Sequence, residues 1–264
     1  MKKNINISVI SVGKNCKASV ENTIKSVLSQ ETIGVTYEYI IVDGLSTDGT
    51  LMEIQKHVKD NPCVRVISEK DTGISDAMNK GVALASGELV IHLHFGDLFV
   101  SNDVLKRVWN DYKHLDWNWA AGILTISKKG EQLRNIYFRP QTSENLLRKN
   151  CVPHQATFMQ RALFEKVGGF DVKLTQAMDY DLWLRMHFLY KERLHILNYP
   201  IAIFDSDGES SKIFELLKGN YFVRKKLRNI YDVKLTTFGE FVFYARMIIY
   251  WFYYRTFVYL RGLF

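Results

Sequence analysis

The chain has 264 residues, of which 47% are hydrophobic, and its 35 Lys and Arg against 28 Asp and Glu give a net charge of +7. This composition supports one substantial core and excludes a low-complexity chain. The positive charge favours an anionic partner, such as nucleotide phosphates or a lipid surface. The three cysteines, Cys16, Cys63 and Cys151, are far apart, and their spacing gives neither a disulfide framework nor a zinc site.

The first part of the chain alternates between strand and helix patterns. Apolar stretches predict strands at residues 5–12, 37–42, 64–68 and 88–93, and amphipathic stretches predict helices at 18–29, 50–59 and 74–85. The start is basic, but its apolar part is short and alternates with polar residues, which predicts a strand and not a signal peptide. Alternating strands and helices indicate right-handed βαβ units on a mostly parallel sheet.

The second predicted strand runs directly into a polar loop, Asp43-Gly-Leu-Ser-Thr-Asp-Gly-Thr50. Its continuous apolar residues suit a strand covered on both faces, and the loop falls at the carboxyl end, where open α/β sheets place their ligands. We therefore expect Asp43 to accept hydrogen bonds from a base or ribose. The alternative is that the loop only makes a turn and caps the next helix.

The fourth predicted strand also ends in an acid, Asp97, after the segment His94-Phe-Gly96. A carboxylate beside a nucleotide diphosphate can hold Mg²⁺ or Mn²⁺, so Asp97 is the best candidate metal ligand. His94 should face the opposite side of the strand from Asp97 unless the glycine bends the chain. A histidine whose hydrogen bonds are satisfied at the strand end is the alternative to a site role.

From residue 101 onward the pattern is less regular and suggests the half of the molecule that shapes an acceptor pocket. We expect helices at 103–112 and 161–167, strands around 119–127 and 132–138, and a further helix that begins near Asp179. Asp179 and Asp181 are two residues apart at this helix start, so they point in different directions. One is a candidate base and the other a cap or a partner of Arg185, unless both only complement the helix dipole.

The last stretch, residues 238–264, is strongly aromatic. Three arginines, Arg246, Arg255 and Arg261, interrupt it too often for the ~20 apolar residues of a spanning helix. With basic residues upstream, including Lys225, Lys226 and Arg228, it fits a helix that lies at a membrane interface. The alternative is a helix docked on the protein's own core or on a second copy of the chain.

Taken in order, these segments resemble the family 2 inverting glycosyltransferases of the GT-A fold over roughly residues 5–210. The string Asp71-Thr-Gly-Ile-Ser-Asp76-Ala-Met-Asn79-Lys-Gly81 is similar to the subset that builds capsule, colanic-acid-like and O-antigen polysaccharides. The resemblance implies an α/β fold, with a mostly parallel central sheet flanked by helices and a C-terminal helical appendage. It also implies a set of residues that bind the UDP-sugar donor, namely Asn15, Asp43, Asp71, Asp76 and Asn79.

The resemblance extends to the catalytic positions. The segment His94-Phe-Gly-Asp97 occupies the place of the family's DxD metal motif, but only its last acid is present, so Asp97 alone inherits the Mn²⁺ or Mg²⁺. Asp179 falls where the family has its catalytic base, although Met178 replaces the acid that usually precedes it. Other residues fall at acceptor-binding or supporting positions, namely His154, Asp181, Trp183 and Arg185. Residues 207–210 lie where related chains carry a lid, and we assign them no catalytic role.

The resemblance divides the chain into a catalytic domain at 1–210, with a nucleotide-sugar half at 1–100 and an acceptor half at 101–210, and a C-terminal segment at 211–264 for a membrane interface or dimerisation. It implies that a hexose or N-acetylhexosamine moves from a UDP-sugar to a glycan acceptor, with a polyprenyl-diphosphate-linked sugar expected. The place would be the cytoplasmic face of the bacterial plasma membrane, with peripheral attachment and a homodimer as an option.

Several other classes of function compete with this reading. A dinucleotide-dependent dehydrogenase is disfavoured because Gly13-Lys14-Asn15, and no Gly-x-Gly-x-x-Gly, follows the first strand. The glycine-rich basic loop of a sugar nucleotidyltransferase is absent as well. Nucleic acid is not expected as a partner, since the basic residues form no groove motif. A catalytically silent, membrane-attached binding or scaffolding subunit is the main alternative, because the metal motif is reduced.

Overall fold

The computed structural model describes residues 4–128, 131–147, 149–205 and 213–230, together with 244–245, 248–249 and 252. Among these residues, nine strands form a single sheet: β1 (Ile7–Gly13), β2 (Tyr37–Asp43), β3 (Val64–Ser68), β4 (Leu89–His92), β5 (Asp97–Phe99), β6 (Trp119–Lys128), β7 (Glu131–Phe138), β8 (Thr157–Gln160) and β9 (His195–Asp205). Seven α-helices accompany them in the described part of the chain: α1 (Lys17–Leu28), α2 (Thr50–Val58), α3 (Ile74–Leu84), α4 (Val104–His114), α5 (Arg161–Val167), α6 (Met178–Leu184) and α7 (Ile213–Ile230).

The sheet has the order β3-β2-β1-β4-β8-β6-β9-β5, with β7 paired to β6. The strands β1 to β4 are parallel to one another, as the alternating pattern predicts. In the second half, β8 pairs antiparallel with both β4 and β6, and β5 pairs antiparallel with β9, while β6 and β9 are parallel. The α/β class with flanking helices is confirmed, and the parallel strand pairs lie mainly in the first half of the chain.

The core lies on both faces of this sheet. Successive residues of β2 alternate between the two faces, so Tyr39 and Ile41 pack with α1, α2 and α4, whereas Ile40 and Val42 pack with α3, α5, α6 and α7. Burial on both faces explains why β2 reads as a continuous apolar run. The rigid end of β2 then fixes the position of Asp43.

Three strands of the second half were not predicted from the sequence, namely β5, β8 and β9. The first two have only 3 and 4 residues, too few to show a period of two. Strand β9 contains Pro200 and lies next to β6 with an irregular register. Because β5 begins at Asp97, this residue starts a new strand instead of ending β4.

Helix α7 packs against α6, and its Val223 and Leu227 belong to the same buried cluster as α3, α5 and α6. Gly219 permits the close approach, since a Cβ there would lie 3.0 Å from the backbone oxygen of Gln176. The expected appendage at 211–264 therefore begins with a helix that is part of the core. Lys226 points inward to two aspartates, so it is not available to a lipid surface as its sequence position suggested.

Most of the aromatic stretch 238–264 and the segment 207–210 lie outside the described residues, and so do Arg246, Arg255 and Arg261. Within the described part of the chain, no helix combines the length and the apolar character needed to cross a bilayer.

Candidate functional site

The carboxyl ends of β1, β2 and β3 bring together the loops that carry Asn15, Asp43 and Asp71. The backbone N–H of Gly44 donates to the carbonyl of Gly13 (3.0 Å), which ties the first two loops to each other. Asn15 has a φ of 53° and accepts the backbone N–H of Thr47 through Oδ1 (2.8 Å). The side chain of Asn15 thus shapes the Asp43 loop.

Asp43 is completely buried at the end of β2. One of its carboxylate oxygens, Oδ2, accepts the hydroxyl of Ser68 (2.6 Å) and the backbone N–H of Ser46 (3.2 Å). The other oxygen, Oδ1, is buried and has no hydrogen-bond partner among the described residues. A buried acceptor without a partner is costly and uncommon, so Oδ1 is suited to receive an N–H or O–H from a ligand. At the start of α2 it is instead Asp48, just before the N-cap Gly49, that accepts the N–H of Thr50 (2.9 Å).

Asp71 and Asp76 occupy two different environments at the start of α3. Asp71 accepts the N–H of Gly73 through Oδ1 (3.0 Å), and its Oδ2 lies so close to Gly44 that a Cβ at residue 44 would meet it. Asp76 accepts the N–H of Thr72 (2.9 Å), and this bond, with the charge of Lys80, holds the pKa of Asp76 below its usual range. Asp71 therefore belongs to the joined loops, whereas Asp76 ties the first turn of α3 to the loop that precedes it.

The expectation for Asn79 needs correction. Its Nδ2 donates to the carbonyl of Phe170 (2.9 Å), and its Oδ1 accepts the N–H of the same residue (2.9 Å). Both polar groups of the carboxamide are thus engaged with one backbone segment. Asn79 holds the loop after α5 against α3 and does not face a donor.

A cavity of about 740 Å³ opens beside these loops and contains the main candidate catalytic residues. The starts of α1 and α3 form one side, with Ser19, Asn22 and Ile74. The other side carries groups that can bind or move protons, namely His94, Asp97, Asn150, His154 and Asp179. Residues that are far apart in the sequence thus share one cavity.

His94 and Asp97 both line this cavity, because the chain bends at the glycine between them, the exception that the sequence-based prediction left open. Gly96 has a φ of 105°, and the chain turns so that the N–H of Asp97 donates to the carbonyl of His94 (2.9 Å). Burial, together with the nearby His154 and His92, holds the pKa of His94 well below its usual range, so the ring is neutral. Its Nδ1 accepts the N–H of Val12 (3.4 Å), whereas Nε2 is buried and has no partner in the part of the chain that the structure describes. His94 is therefore not the satisfied histidine of the sequence-based alternative.

The donor set at Asp97 fits a cation that is shared with a ligand. Asp97 lines the cavity and is 5% exposed, and no other acid adjoins it in the sequence. Among the described residues, the one group of three side chains close enough to hold a metal is Glu21, Glu53 and His57, at the α1–α2 surface. A cation at Asp97 would thus take most of its ligands from phosphate oxygens and water, as Mg²⁺ and Mn²⁺ do beside nucleotides.

Asp179 lies in the first turn of α6, after Ala177 with a φ of 59°. Its Oδ1 accepts the N–H of Tyr180 (2.7 Å), and its Oδ2 accepts Nδ2 of Asn150 (3.0 Å) and lies 3.8 Å from Nδ1 of His154. Burial alone would raise the pKa of Asp179, but these contacts outweigh it and hold the pKa below the usual range. The carboxylate is ionised at neutral pH, which a proton acceptor requires.

Asp181, Arg185 and Trp183 are not among the residues that line the cavity, which agrees with the supporting alternative of the sequence-based prediction. Asp181 is 1% exposed and accepts Nε of Arg185 (2.8 Å), as one of the two sequence-based interpretations held. Arg185 also donates to the carbonyls of Val167 (2.7 Å) and Gly169 (2.6 Å). Trp183 stacks on Trp119 in the core, with 5.3 Å between ring centroids. Together these side chains fix α6, and therefore Asp179.

Comparison with known proteins agrees with this geometry. The family model described as Glycosyl transferase family 2 matches residues 8–168, more than half of the chain. The chain belongs to glycosyl transferase family 2.

The chain is similar to two curated relatives from different organisms. Over 220 residues the chain is 28% identical to the chondroitin synthase of Escherichia coli, which corresponds to 82% of this chain and 31% of that protein. An uncharacterised glycosyltransferase of Mycobacterium tuberculosis is 31% identical over 182 residues, 68% of each chain. The chain thus spans less than a third of the synthase's length.

Solved structures confirm the GT-A fold. A crystal structure of S. aureus TarS 1-349 in complex with UDP-GlcNAc has a TM-score of 0.67 and 15% identity, and the match covers 87% of this chain and 68% of that one. The mannosyltransferase PcManGT from Pyrobaculum calidifontis, in complex with GDP-Man and Mn2+, also has a TM-score of 0.67 with 18% identity, over 93% and 70% of the two chains.

Two residues that hold Asp179 and Asp181 of this family 2 domain in place were not predicted from the sequence. Asn150 contacts Asp179 directly, and Lys226 contacts Asp181 (2.9 Å). A single asparagine in an irregular segment carries no pattern, although it directly precedes the Cys151-Val-Pro-His154 string. Lys226 follows a basic pair on an amphipathic helix, which is a common surface pattern.

Proposed function

We propose that the protein transfers a hexose or N-acetylhexosamine from a UDP-sugar to a hydroxyl of a glycan acceptor, with inversion at the anomeric carbon. The observation that carries this proposal is that Asp179, ionised and held by Asn150, shares one cavity with Asp97. That cavity adjoins the loops in which Asp43 presents an unpartnered carboxylate oxygen.

The similar proteins support the substrate classes in this proposal. Chondroitin synthase and hyaluronan synthase are among the curated relatives, and the TarS structures include complexes with UDP and UDP-GlcNAc. The PcManGT complex with GDP-Man makes a guanosine donor the main competitor. We assign UDP because the TarS structures include complexes with UDP and UDP-GlcNAc.

The proposed chemistry is a single displacement. Asp179 accepts the proton of the acceptor hydroxyl, whose oxygen attacks the anomeric carbon from the side opposite the departing diphosphate, and the configuration inverts. General base catalysis of this kind contributes about 10²- to 10⁴-fold when the base lies within ~3 Å of the hydroxyl. His154 and Asn150 hold the carboxylate of Asp179 in its orientation throughout.

Asp97 is the residue proposed to hold Mn²⁺ or Mg²⁺ together with the diphosphate oxygens. When bound, such a cation neutralises the negative charge on the leaving UDP. The buried position of Asp97 at the cavity wall supports this role, and the turn with His94 fixes its backbone.

For the acceptor we propose a polyprenyl-diphosphate-linked glycan, used in bacterial surface polysaccharide synthesis at the cytoplasmic face of the membrane. The support is the aromatic and basic C-terminal sequence, together with the exposed apolar side chains Ile248, Ile249 and Phe252. Binding of the protein to anionic phospholipid vesicles tests the proposed membrane attachment, and we expect high salt to reduce this binding. A dimer in solution that does not bind vesicles would instead favour self-association.

The direct test is UDP release from a panel of UDP-hexoses and UDP-N-acetylhexosamines, with GDP-mannose included, in the presence of a lipid-diphosphate-linked sugar acceptor. We expect acceptor-dependent release from one UDP-sugar, stimulated by Mn²⁺ and lost with EDTA. Release from GDP-mannose alone would overturn the donor assignment, and release that survives EDTA would overturn the role of Asp97. Silence with every donor, while UDP still binds, would support the non-catalytic binding subunit.

A further inference from the structure

Asn150 is a polar side chain of the cavity to which the family resemblance assigns no role. It lies in the irregular segment between β7 and β8 and lines the cavity together with His154 and Asp179. Its Nδ2 donates to Oδ2 of Asp179 at 3.0 Å. The segment that carries Asn150 is tied down by the bond from Gln141 N–H to the carbonyl of Cys151 (3.3 Å).

The chemistry of this contact fixes the orientation of the Asn150 amide. An ionised carboxylate can only accept hydrogen bonds, so the NH₂ group of Asn150 must face Asp179. The reverse orientation would set two acceptor oxygens against each other. Oδ1 of Asn150 is therefore directed away from Asp179, and it is buried with no hydrogen-bond partner within the described ranges.

A complementary group lies on the wall of the same cavity. Because Nδ1 of His94 accepts the N–H of Val12 (3.4 Å), the proton of this ring is on Nε2. This Nε2 is buried, and it also has no hydrogen-bond partner among the described residues. The wall thus offers one unpartnered acceptor and one unpartnered donor, and a hydroxyl group supplies one donor and one acceptor.

We propose that Asn150 is a positioning residue that orients Asp179 with its NH₂ group and receives a hydroxyl of the acceptor sugar at Oδ1. The proposal rests on the proposed function and deepens it, since it assigns the acceptor to the side of the cavity where Asn150 lies. Asn150 then orients both the carboxylate that accepts the proton and the hydroxyl that gives it up. His94 donates a hydrogen bond to a hydroxyl of the same kind of ligand through Nε2, since Nδ1 is occupied by the N–H of Val12.

The groups that face Asp179 come from several elements. Asn150 and His154 approach from the segment before β8, and the N–H of Tyr180 comes from α6 itself. His94 and Asp97 share the cavity from the turn after β4, while Asp181 on α6 is turned away toward Arg185. Removal of the Asn150 amide thus deletes one of three groups that favour the ionised carboxylate.

The experiment combines carboxyl titration with kinetics on the full chain. Asn150→Ala removes both polar groups, Asn150→Asp keeps the size and an acceptor oxygen, and Asn145→Ala is the matched control. Asn145 lies in the same segment, donates to Oγ1 of Thr142 (3.0 Å) and is not among the residues that line the cavity. The Asp179 signal in ¹³C carboxyl NMR is assigned by its loss in Asp179→Asn.

We expect the titration midpoint of Asp179 to rise in both Asn150 variants and to stay at the wild-type value in Asn145→Ala. We also expect kcat/KM for the acceptor to fall about 10- to 100-fold in Asn150→Ala, while KM for the donor stays within about twofold. An unchanged Asp179 midpoint would overturn the orienting role. A loss confined to donor KM would overturn the acceptor contact. Wild-type protein that is silent with every donor would count against the proposed function, and the titration would still decide the pairing of Asn150 with Asp179.

Discussion

Lys226 on α7 contacts Asp181 on α6, with Nζ 2.9 Å from Oδ1, and the same Nζ lies 2.9 Å from Oδ2 of Asp171. The helix α7, which the sequence predicted to be an appendage, thus supplies a positive charge to the first turn of α6, the helix that carries Asp179. The contact links the C-terminal segment to the position of the proposed catalytic residue.

Replacement of Lys226 by Met should therefore destabilise the fold and slow turnover. Asp181 is 1% exposed and would keep only Arg185, so we expect a loss of about 1–3 kcal/mol in the free energy of unfolding. Urea unfolding measures this loss. Lys225→Met is the control, because Lys225 is exposed on the same helix. Equal stability of the two variants would show that the contact between α6 and α7 does not depend on Lys226.

Asp43→Asn should weaken UDP binding. The substitution keeps the shape but replaces one acceptor oxygen by an NH₂ donor. In one orientation of the amide, the NH₂ group disrupts the hydrogen bonds from Ser68 and Ser46. In the other orientation, it removes the free acceptor at Oδ1. We expect the Kd for UDP, measured by calorimetry, to rise about tenfold or more. Asp116→Asn, at an exposed loop, should bind UDP like the wild type. Unchanged affinity in Asp43→Asn would remove Asp43 from the nucleotide site.

The lowered pKa of Asp179 predicts how stability depends on pH. An aspartate whose pKa is lower in the folded than in the unfolded state stabilises the fold above the unfolded value, and this stabilisation is lost as the pH falls through the folded value. The wild type should therefore lose stability relative to Asp179→Asn as the pH falls below about 4. Denaturant unfolding at several pH values measures the difference. Parallel curves for the two proteins would mean that Asp179 has an ordinary pKa.

Cys16 should react slowly with alkylating agents. Burial raises the pKa of its thiol to about 11, and the charges of Asp48 and Asp43 add to this, although a hydrogen bond with Thr50 acts against it. At pH 8 its thiolate fraction is then roughly 100-fold below that of an ordinary cysteine. Mass spectrometry after iodoacetamide treatment of the native protein checks this. Rapid labelling of Cys16 would mean that the loop after β1 opens in solution.

The sequence predicted the first half of the fold closely because its elements carry strong periodicity. The predicted strand at residues 64–68 coincides with β3 (Val64–Ser68), and the predicted helix at 50–59 matches α2 (Thr50–Val58) to within one residue. The apolar run of β2 gave the position of Asp43. Strands β5 and β8 were missed because pairing with β9 and β4, and not their own short sequences, makes them strands.

The candidate site was partly predictable for a related reason. Asp179 and Asp97 stand in recognisable strings, and the structure places both in one cavity. The side of the chain that His94 faces depended on the turn at Gly96, and the partners of Asn79 and Trp183 depended on tertiary packing. Such contacts join residues distant in sequence, and local patterns carry no information about them.

The central claim is that Asp179 is the catalytic base, and Asp179→Asn tests it most directly. Acceptor-dependent UDP release by this variant should be measured beside the wild type, with the Kd for UDP determined for both. We predict that release falls by at least about 10²-fold while the Kd for UDP is unchanged, because an amide cannot accept the hydroxyl proton. Wild-type turnover in Asp179→Asn would contradict the account and would require another base.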